Sequence, residues 1–579
     1  MPSMILLNHM EEKIKKLIKE VLKIKGDFAL MHPKDIKNGD YAFVSSSKNP
    51  GKDAEALRQA QGDLQKQIEK IEVAGRFINF YLSRKFFANS IEEILNKGEK
   101  VGGNNIRAGQ KIMVEYTDPN PFKPFHIGHL MTNAIGESIA RILEHSGAVV
   151  FRANYQGDIG LHVAKAIYGL LKNKKLQNQF VSNALQSANI GKAYAQGAKA
   201  YENDKKAEKE IDKINKKIYE RTDEKINKLY TWGFDATMEA FENLYKMLGT
   251  KFDFYFLESQ MAPIGEDIVQ ANIGKVFEKS DPEPSRQGGR YGAGGAIIFR
   301  GEKYDPKLHT RVFITSQGLP TYETKELGLA EEKFRTKPDM DLSIMITANE
   351  QMDYMRVVAK AISLIHPDFA NRMKHITHGM MRFVGGKMSS RKGNVITGES
   401  LLNDAHSAIL EKIKERDIPL AEEEKIASAV GVAAVKYSIL KQSIGGDIIY
   451  DFEKSICFEG DSGPYLQYSY ARANSVLEKA HKENILPDFE ILPEEIFEVE
   501  KLLYRFPEIV LRSASEYEPH YITNYLIEVA RAYNSFYGDV IIVNKKDKTS
   551  PYKVALTYAF SFVMKTGLHL LGIKAPEKM

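Results

Sequence analysis

Two histidines, His126 and His129, stand three residues apart where a strand-like segment gives way to a helix-like one. Apolar and polar residues alternate in Lys111–Tyr116, and from Ile127 onward apolar residues recur at three- and four-residue steps. Three prolines between these segments hold the backbone in an extended loop. A helix N-terminus attracts anions, and Gly128 leaves the backbone open to a flat ring. The pattern predicts a phosphate site where both imidazoles donate hydrogen bonds.

A glycine-bracketed basic loop, Gly385–Asn394, is the second stretch that could do chemistry. It carries Lys387, Arg391 and Lys392, whose point charges suit a triphosphate. Most basic runs are solvated surface, and a lone HxGH most often begins a helix beside a core. Neither stretch identifies a function by itself.

Taken together, HIGH at 126–129 and KMSS at 387–390, about 260 residues apart, resemble the two signatures of class I aminoacyl-tRNA synthetases. The segments between and after them resemble arginyl-tRNA synthetases in particular, notably Ser462–Arg472, Ala530–Val540 and Leu570–Met579. The resemblance covers essentially the entire chain. It implies ATP-dependent activation of L-arginine to arginyl-adenylate, and transfer of arginine to the 3' end of the arginine tRNA.

Four parts of the chain must position these motifs. We expect an α/β fold with a class I Rossmann-like catalytic domain at 106–395, interrupted by an insertion at about 171–300. A small α+β domain at 1–105 resembles the one that this family places against the tRNA elbow. Within it, Ile71–Ser83 reads as one strand-like run, and Arg76 stands where the family usually has Pro-Gly. A helical connecting segment at 396–460 leads to an all-α, DALR-like anticodon-binding bundle at 461–579.

The ATP site follows from the resemblance and from the charge that develops during phosphoryl transfer. Its expected residues are Phe125, His126, Gly128, His129, Glu350, Lys387, Met388, Ser389 and Ser390. Such catalysis is mostly positioning and charge stabilisation, so Lys387 suits the departing phosphates and the two histidines suit the α-phosphate. The family signature normally has a second lysine where this chain has Ser390. Lys392 or Lys123 could replace that charge, and we favour Lys123 as a catalytic residue because it precedes the helix start.

The amino-acid pocket must hold a guanidinium, which needs carboxylates in fork geometry and a flat partner. Glu115 and Glu326 supply the carboxylates, and Tyr322 lies four residues before Glu326 on one predicted helix face. Each acidic residue alone could equally be an exposed surface group. In similar synthetases Asn120 and Gln351 would hold the α-amino group, and His126 also contacts the amino acid. The Glu326 position is commonly Asp in the family.

The helical C-terminal part is expected to bind the anticodon stem-loop. RNA loops are recognised through aromatic and arginine planes, although most aromatics of a helical bundle form its core. The expected tRNA-binding residues are Arg472, Arg531, Tyr533, Asn534 and Met579. The resemblance also implies that arginine activation depends on bound tRNA. Such dependence requires only that tRNA favour the closed catalytic state.

Composition limits the remaining possibilities. A chain of 579 residues should form about four domains, and its net charge of +5 makes any polyanion site a local patch. The single Cys457 excludes an intramolecular disulfide and a cysteine zinc cluster. No signal peptide or membrane span is indicated. We expect a cytoplasmic monomer whose partners are L-arginine, ATP and tRNA, without a protein-bound metal. Mg²⁺ would arrive with ATP.

Two rival functions come from other classes. A different nucleotidyltransferase could use HxGH on a small phosphorylated substrate, but it would not explain the long helical C-terminal part. A catalytically inactive tRNA-binding regulator is the other, and the intact His126, His129 and Lys387 argue against it.

Overall fold

The chain forms two compact units. One contains residues 1–106, 416–437 and 454–579, and the other residues 107–415 and 438–453. The computed structural model describes residues 9–179, 181–280, 295–384, 396–414 and 419–579. Among these residues, no helix is both long and apolar enough to cross a membrane.

The N-terminal part of the first unit is a three-stranded antiparallel sheet with helices beside it. Its elements are α1 (His9–Leu22), β1 (Tyr41–Val44), α2 (Pro50–Gln59), β2 (Ile68–Ala74), β3 (Phe77–Leu82) and α3 (Arg84–Lys97). Strand β3 lies between β1 and β2. The single strand-like run predicted over 71–83 is wrong, because the chain turns at Gly75 and forms the hairpin β2–β3. Gly75 has φ +62°, which a residue without a side chain adopts at little cost.

The second unit is built on a parallel sheet. The strands of the whole unit are β4 (Lys111–Glu115), β5 (Val149–Gln156), β6 (Phe254–Leu257), β7 (Glu278–Lys279), β8 (Ile297–Arg300), β9 (Thr310–Ile314), β10 (Leu342–Ala348), β11 (Met373–His378), β12 (Met381–Phe383) and β13 (Ile448–Tyr450), and five of them form the parallel sheet. Its helices are α4 (Ile127–His145), α5 (Leu161–Lys172), α6 (Asn183–Asn203), α7 (Lys205–Glu220), α8 (Glu224–Leu248), α9 (Glu258–Ala271), α10 (Tyr322–Thr336), α11 (Met352–Ile365), α12 (Pro367–Asn371) and α13 (Gly398–Ile413). These bounds confirm the predicted strand before the HIGH motif and the helix that starts within it.

Strand order explains where a ligand can bind. The five parallel strands run β11-β10-β4-β5-β6, so the direction of winding reverses between β10 and β4. Open parallel sheets bind ligands beyond the carboxyl ends of their strands at such a reversal. The sheet includes β6, which lies within the stretch assigned to the insertion. The insertion's helices α6–α8 pack with α5 in an apolar core that includes Ile167, Ile211 and Ile214.

Helix α4 packs directly on the strand that precedes it. A Cβ added to Gly136 would lie 2.2 Å from the ring of Tyr116, which is fully buried. Only a residue without a side chain allows this approach. The contact fixes the N-terminus of α4 relative to the end of β4.

The C-terminal part of the chain is helical, as predicted. After α14 (Leu420–Leu440) and α15 (Phe452–Ser455) come α16 (Gly463–Lys482), α17 (Glu498–Leu503), α18 (Phe506–Glu516), α19 (His520–Asp539) and α20 (Ser550–Leu570). Stacked rings such as Tyr533 and Phe560, with centroids 3.8 Å apart, fill the bundle core. Helix α3 packs against α20, and Arg84 forms an ion pair with the fully buried Glu500. The small sheet domain therefore belongs to the same compact unit as the bundle.

Candidate active site

The two signature histidines cap the helix that they begin. The backbone N–H of His129 donates to Nδ1 of His126 at 3.3 Å, and the backbone N–H of His126 donates to Nδ1 of His129 at 3.2 Å. The two rings stack with centroids 3.4 Å apart. Each side chain thus satisfies a backbone donor of the first helical turn.

Burial keeps both rings neutral, and the capping decides which ring nitrogen carries the proton. Burial, and then the charge of Lys123, lower the pKa of His126 to about 4. Burial, and then His126 and Lys123, lower the pKa of His129 well below its usual value. Because each Nδ1 accepts a hydrogen bond, the proton of each neutral ring lies on Nε2. Near neutral pH the histidines therefore offer two uncharged N–H donors.

Phe125 and Gly128 shape the immediate surroundings of these rings. Phe125 is buried, with its ring centroid 5.4 Å from that of His129. A Cβ on Gly128 would lie 3.0 Å from the ring of His126, so glycine leaves room for the capping ring. The approach of a flat ligand ring to Gly128 stays a prediction.

Lys123 lies in the proline loop just before the histidines. Its ammonium is 5.6 Å from the ring centroid of Tyr194, on the inserted helix α6. Burial lowers its pKa, while the charge of Glu258 opposes that shift. Lys123 in turn lowers the pKa of both histidines, so its charge is felt at the start of α4.

The two carboxylates expected for the guanidinium occupy the same part of the unit. Glu115 is 3% exposed at the end of β4 and forms an ion pair with Lys333 of α10. Burial raises the pKa of Glu326 to about 8, and the charge of Glu115 contributes to the increase. A buried carboxyl near another carboxylate keeps its proton more tightly. Glu326 is therefore mostly protonated at neutral pH without a ligand.

Asp118 is an acidic residue of this region that the sequence reasoning missed. Its Oδ1 accepts a hydrogen bond from the backbone N–H of Tyr155 at 2.7 Å. Burial, and then Glu115, raise its pKa well above the usual value. Its position three residues after the end of β4, beside Pro119, was the available signal.

A second buried ion pair, Glu258 with Lys325, joins α9 to α10 at 2.6 Å. A Cβ on Gly157 would lie 2.2 Å from Oδ1 of Asn120 and 3.1 Å from Oε1 of Glu258. Asn120, expected to hold the α-amino group, therefore lies beside Glu258, another residue that the sequence reasoning missed. Tyr322, expected beside Glu326 as the flat partner, is 61% exposed at the start of α10, and the ammonium of Lys325 lies 5.1 Å from its ring centroid.

Glu350 and Gln351 follow β10 in the short 3₁₀ helix Asn349–Gln351, and both are exposed. The hydroxyl of Tyr354 donates to Oε1 of Gln351 at 3.5 Å. The two residues therefore extend from the carboxyl end of the strand beside β4, where a ligand would lie.

The second signature, with Lys387, Met388, Ser389 and Ser390, lies outside the described residues, and its roles stay predictions. The residues that follow the second signature, Thr397 and Gly398, contact the first signature. Thr397 pairs with His126 as an isolated antiparallel bridge. The backbone N–H of Gly398 donates to the carbonyl of Phe125 at 2.8 Å.

Among the proposed tRNA contacts, the structure joins Arg472 to Asn534 and buries Tyr533. Nη1 of Arg472 donates to Oδ1 of Asn534 at 2.5 Å. The guanidinium lies over the rings of Tyr468 and Tyr537, at 4.8 and 4.9 Å. Tyr533 has no exposed surface and packs in the core.

The remaining two tRNA candidates lie apart in the chain. Arg531 is exposed, and Met579 is partly exposed at the end of the tail. Lys436 and Gln467 anchor that tail by donating hydrogen bonds to the carbonyls of Gly572 and Lys574.

Comparison with known proteins follows the same division of the chain. Residues 90–452 match the family described as tRNA synthetases class I (R), catalytic domain, and residues 466–579 match the DALR anticodon binding domain. Residues 90–452 therefore form the catalytic domain of a class I aminoacyl-tRNA synthetase. The HIGH histidines lie at the start of α4, beyond the carboxyl end of β4.

The arginine--tRNA ligase of Clostridium perfringens is 31% identical over 98% of this chain and 100% of that protein. That of Halothermothrix orenii is 32% identical over 88% of each. The chain belongs to the arginyl-tRNA synthetase family, as the segments between and after its two signatures predicted. The Thermus thermophilus arginyl-tRNA synthetase shares the fold, with a TM-score of 0.75 at 23% identity over 99% of this chain and 100% of that one.

Among the described residues, no group of three or more His, Cys, Asp or Glu side chains is arranged to hold a metal ion. That Mg²⁺ accompanies ATP stays an expectation for this class.

Proposed function

We propose that this chain works as an arginine–tRNA ligase with neutral imidazoles at the α-phosphate and a carboxylate pocket for the guanidinium. Arginine's carboxylate attacks the α-phosphorus of ATP, which releases diphosphate and forms arginyl-adenylate. The 3'-terminal hydroxyl of tRNA then attacks the adenylate's carbonyl carbon and releases AMP. The observation that supports the proposal is the histidine-capped start of α4, together with two buried acidic residues, Glu115 at the end of β4 and Glu326 on α10.

For the first step, the Nε2–H groups of His126 and His129 donate to oxygens of the α-phosphoryl group. Their lowered pKa values keep them neutral, so they stabilise developing charge by hydrogen bonds that already point from a fixed helix start. Lys123 adds a nearby positive charge. Lys387 is proposed from the signature to hold the departing phosphates.

For the amino acid, Glu115 and Glu326 pair with the guanidinium, and Asn120 and Gln351 hold the α-amino group. A guanidinium donates in a planar fork that matches carboxylates. Its positive charge would drive the proton from Glu326, because an opposite charge favours the ionised carboxylate. Binding of arginine therefore completes a pair of ionised acceptors.

For the tRNA, the C-terminal bundle supplies the anticodon surface. Arg472, held between two tyrosine rings, presents a planar cation with aromatic neighbours, a combination that stacks on unpaired bases. The N-terminal sheet domain is proposed to contact the tRNA elbow. A monomer acting in the cytosol, where translation takes place, is part of the same proposal.

Aminoacylation tests the proposal directly. Purified chain, ATP, Mg²⁺ and total tRNA are incubated with each labelled amino acid in turn, and acid-insoluble label is counted. Only arginine should be incorporated. Incorporation of lysine or glutamine in preference to arginine would overturn the assignment. Binding of tRNA without any charging would favour the inactive regulator.

A further inference from the structure

Lys333 is among the most deeply buried charged side chains near the pocket. Its side chain is 1% exposed and pairs with Glu115, whose side chain is 4% exposed. Lysine is almost never fully buried unless it is paired. Lys333 follows Glu326 on α10 by seven residues, which is two turns, so both lie on one helix face. Helical side chains lean toward the helix N-terminus, which directs Lys333 toward the pocket.

The pocket gathers more negative than positive groups around Lys333. Several elements contribute titratable side chains that interact electrostatically with Glu326, with Lys333 or with their neighbours. They are Glu115 and Asp118 from β4 and its loop, Tyr155 from β5, Glu258 from α9, Glu323 and Lys325 from α10, Tyr354 from α11 and His375 from β11. The charge of Lys325 is paired with that of Glu258. The charge of Lys333 opposes the raised pKa of both Asp118 and Glu326.

Charge balance then suggests what Lys333 does. Two ionised carboxylates, Glu115 and Glu326, together with Lys333 and one guanidinium, sum to zero. Buried charges are tolerated only when they are paired. Without Lys333, the bound state would keep one uncompensated carboxylate, and a proton would compete with the substrate for it.

We propose that Lys333 is a positioning residue for the amino-acid substrate, which acts by pairing with Glu115 and fixing its carboxylate beside the guanidinium. The inference rests on the proposed function, since it names a further residue of the same pocket. Lys333 itself does not touch the reacting atoms. It forms an ion pair with Oε2 of Glu115.

The test is calorimetric binding of arginine to the full chain from pH 6 to 8.5. Lys333→Met should weaken arginine binding ~10- to 100-fold at pH 7, because Glu326 loses the nearby positive charge that opposes its raised pKa. The deficit relative to the wild type should shrink as pH rises, whereas a general structural defect would weaken binding by the same factor at every pH. The KM for ATP should stay near that of the wild type. Arg335→Met, which removes an exposed cation from the same helix, is the matched control.

A double variant keeps the proposal testable if Lys333→Met fails to fold. Glu115→Gln leaves Lys333 as an unpaired cation that repels the guanidinium, so removing Lys333 as well should restore part of the lost affinity. Glu115→Gln/Lys333→Met should therefore bind arginine more tightly than Glu115→Gln. A double variant as weak as Glu115→Gln, or a Lys333→Met variant with the wild-type profile, would overturn the inference. Failure of the wild type itself to bind arginine would instead refute the proposed function.

Discussion

The protonation of Glu326 makes arginine binding depend on pH. With a pKa of about 8 before the substrate binds, Glu326 is ionised in ~10% of molecules at pH 7 and in ~1% at pH 6. If only the ionised form accepts the guanidinium, the apparent Kd is the intrinsic Kd divided by that fraction. Raising the pH from 6 to 8.5 should therefore tighten binding by nearly two orders of magnitude, on the order of 75-fold.

Calorimetry of arginine binding, without ATP or tRNA, measures this dependence. Titrations in buffers of different ionisation enthalpy should also detect release of about one proton per arginine at pH 7. His126 and His129 do not contribute, because their lowered pKa values keep both neutral throughout this range. Glu326→Gln is the control and should bind weakly, with a much flatter profile. The reasoning is refuted if wild type and Glu326→Gln show the same slope.

Three further outcomes follow from the geometry. Because the raised pKa of Glu326 favours its neutral form, its contribution to stability should be lost as pH rises through 8, and arginine should raise Tm more at pH 9 than at pH 6. Gly136→Ala should cost ~1–3 kcal/mol of unfolding free energy by clashing with the ring of Tyr116, which denaturant titration measures. Arg472→Ala should raise the KM for tRNA several-fold, while calorimetry shows an unchanged Kd for arginine.

For the first signature, the local structure could be predicted from the sequence, but the side-chain geometry could not. Alternation in the strand, the prolines and the apolar spacing after Ile127 were enough to predict the element that carries His126 and His129. The reciprocal capping was not predictable, because it depends on ring orientation. That capping, with the burial around it, makes both imidazoles uncharged donors.

The acidic pocket was predicted only in part, since its members come from segments far apart in the chain. Glu115 and Glu326 were named, but nothing in the sequence distinguishes Lys333 from the other charged residues of α10. The fold brings Lys333 to Glu115, a contact between segments far apart in the chain. Glu258 follows the short strand β6, which carries too few residues for a clear alternation pattern.

The bundle shows the opposite limitation. Tyr533, which was predicted to contact tRNA, and Tyr537 stand four residues apart on one amphipathic helix. Packing buries the first against Phe560 and leaves the second 43% exposed beside Arg472. Aromatic spacing alone does not separate the core face of a helix from its edge.

Exchange of labelled diphosphate into ATP is the measurement that tests the central claim most directly. It is run with each amino acid, alone, with cognate tRNA, and with tRNA lacking a reactive terminal hydroxyl. The account predicts exchange with arginine only, and only when either form of tRNA is bound, because tRNA favours the closed catalytic state. Equal exchange without tRNA would remove the coupling. Exchange with another amino acid in preference to arginine, or none with arginine and tRNA together, would contradict the account.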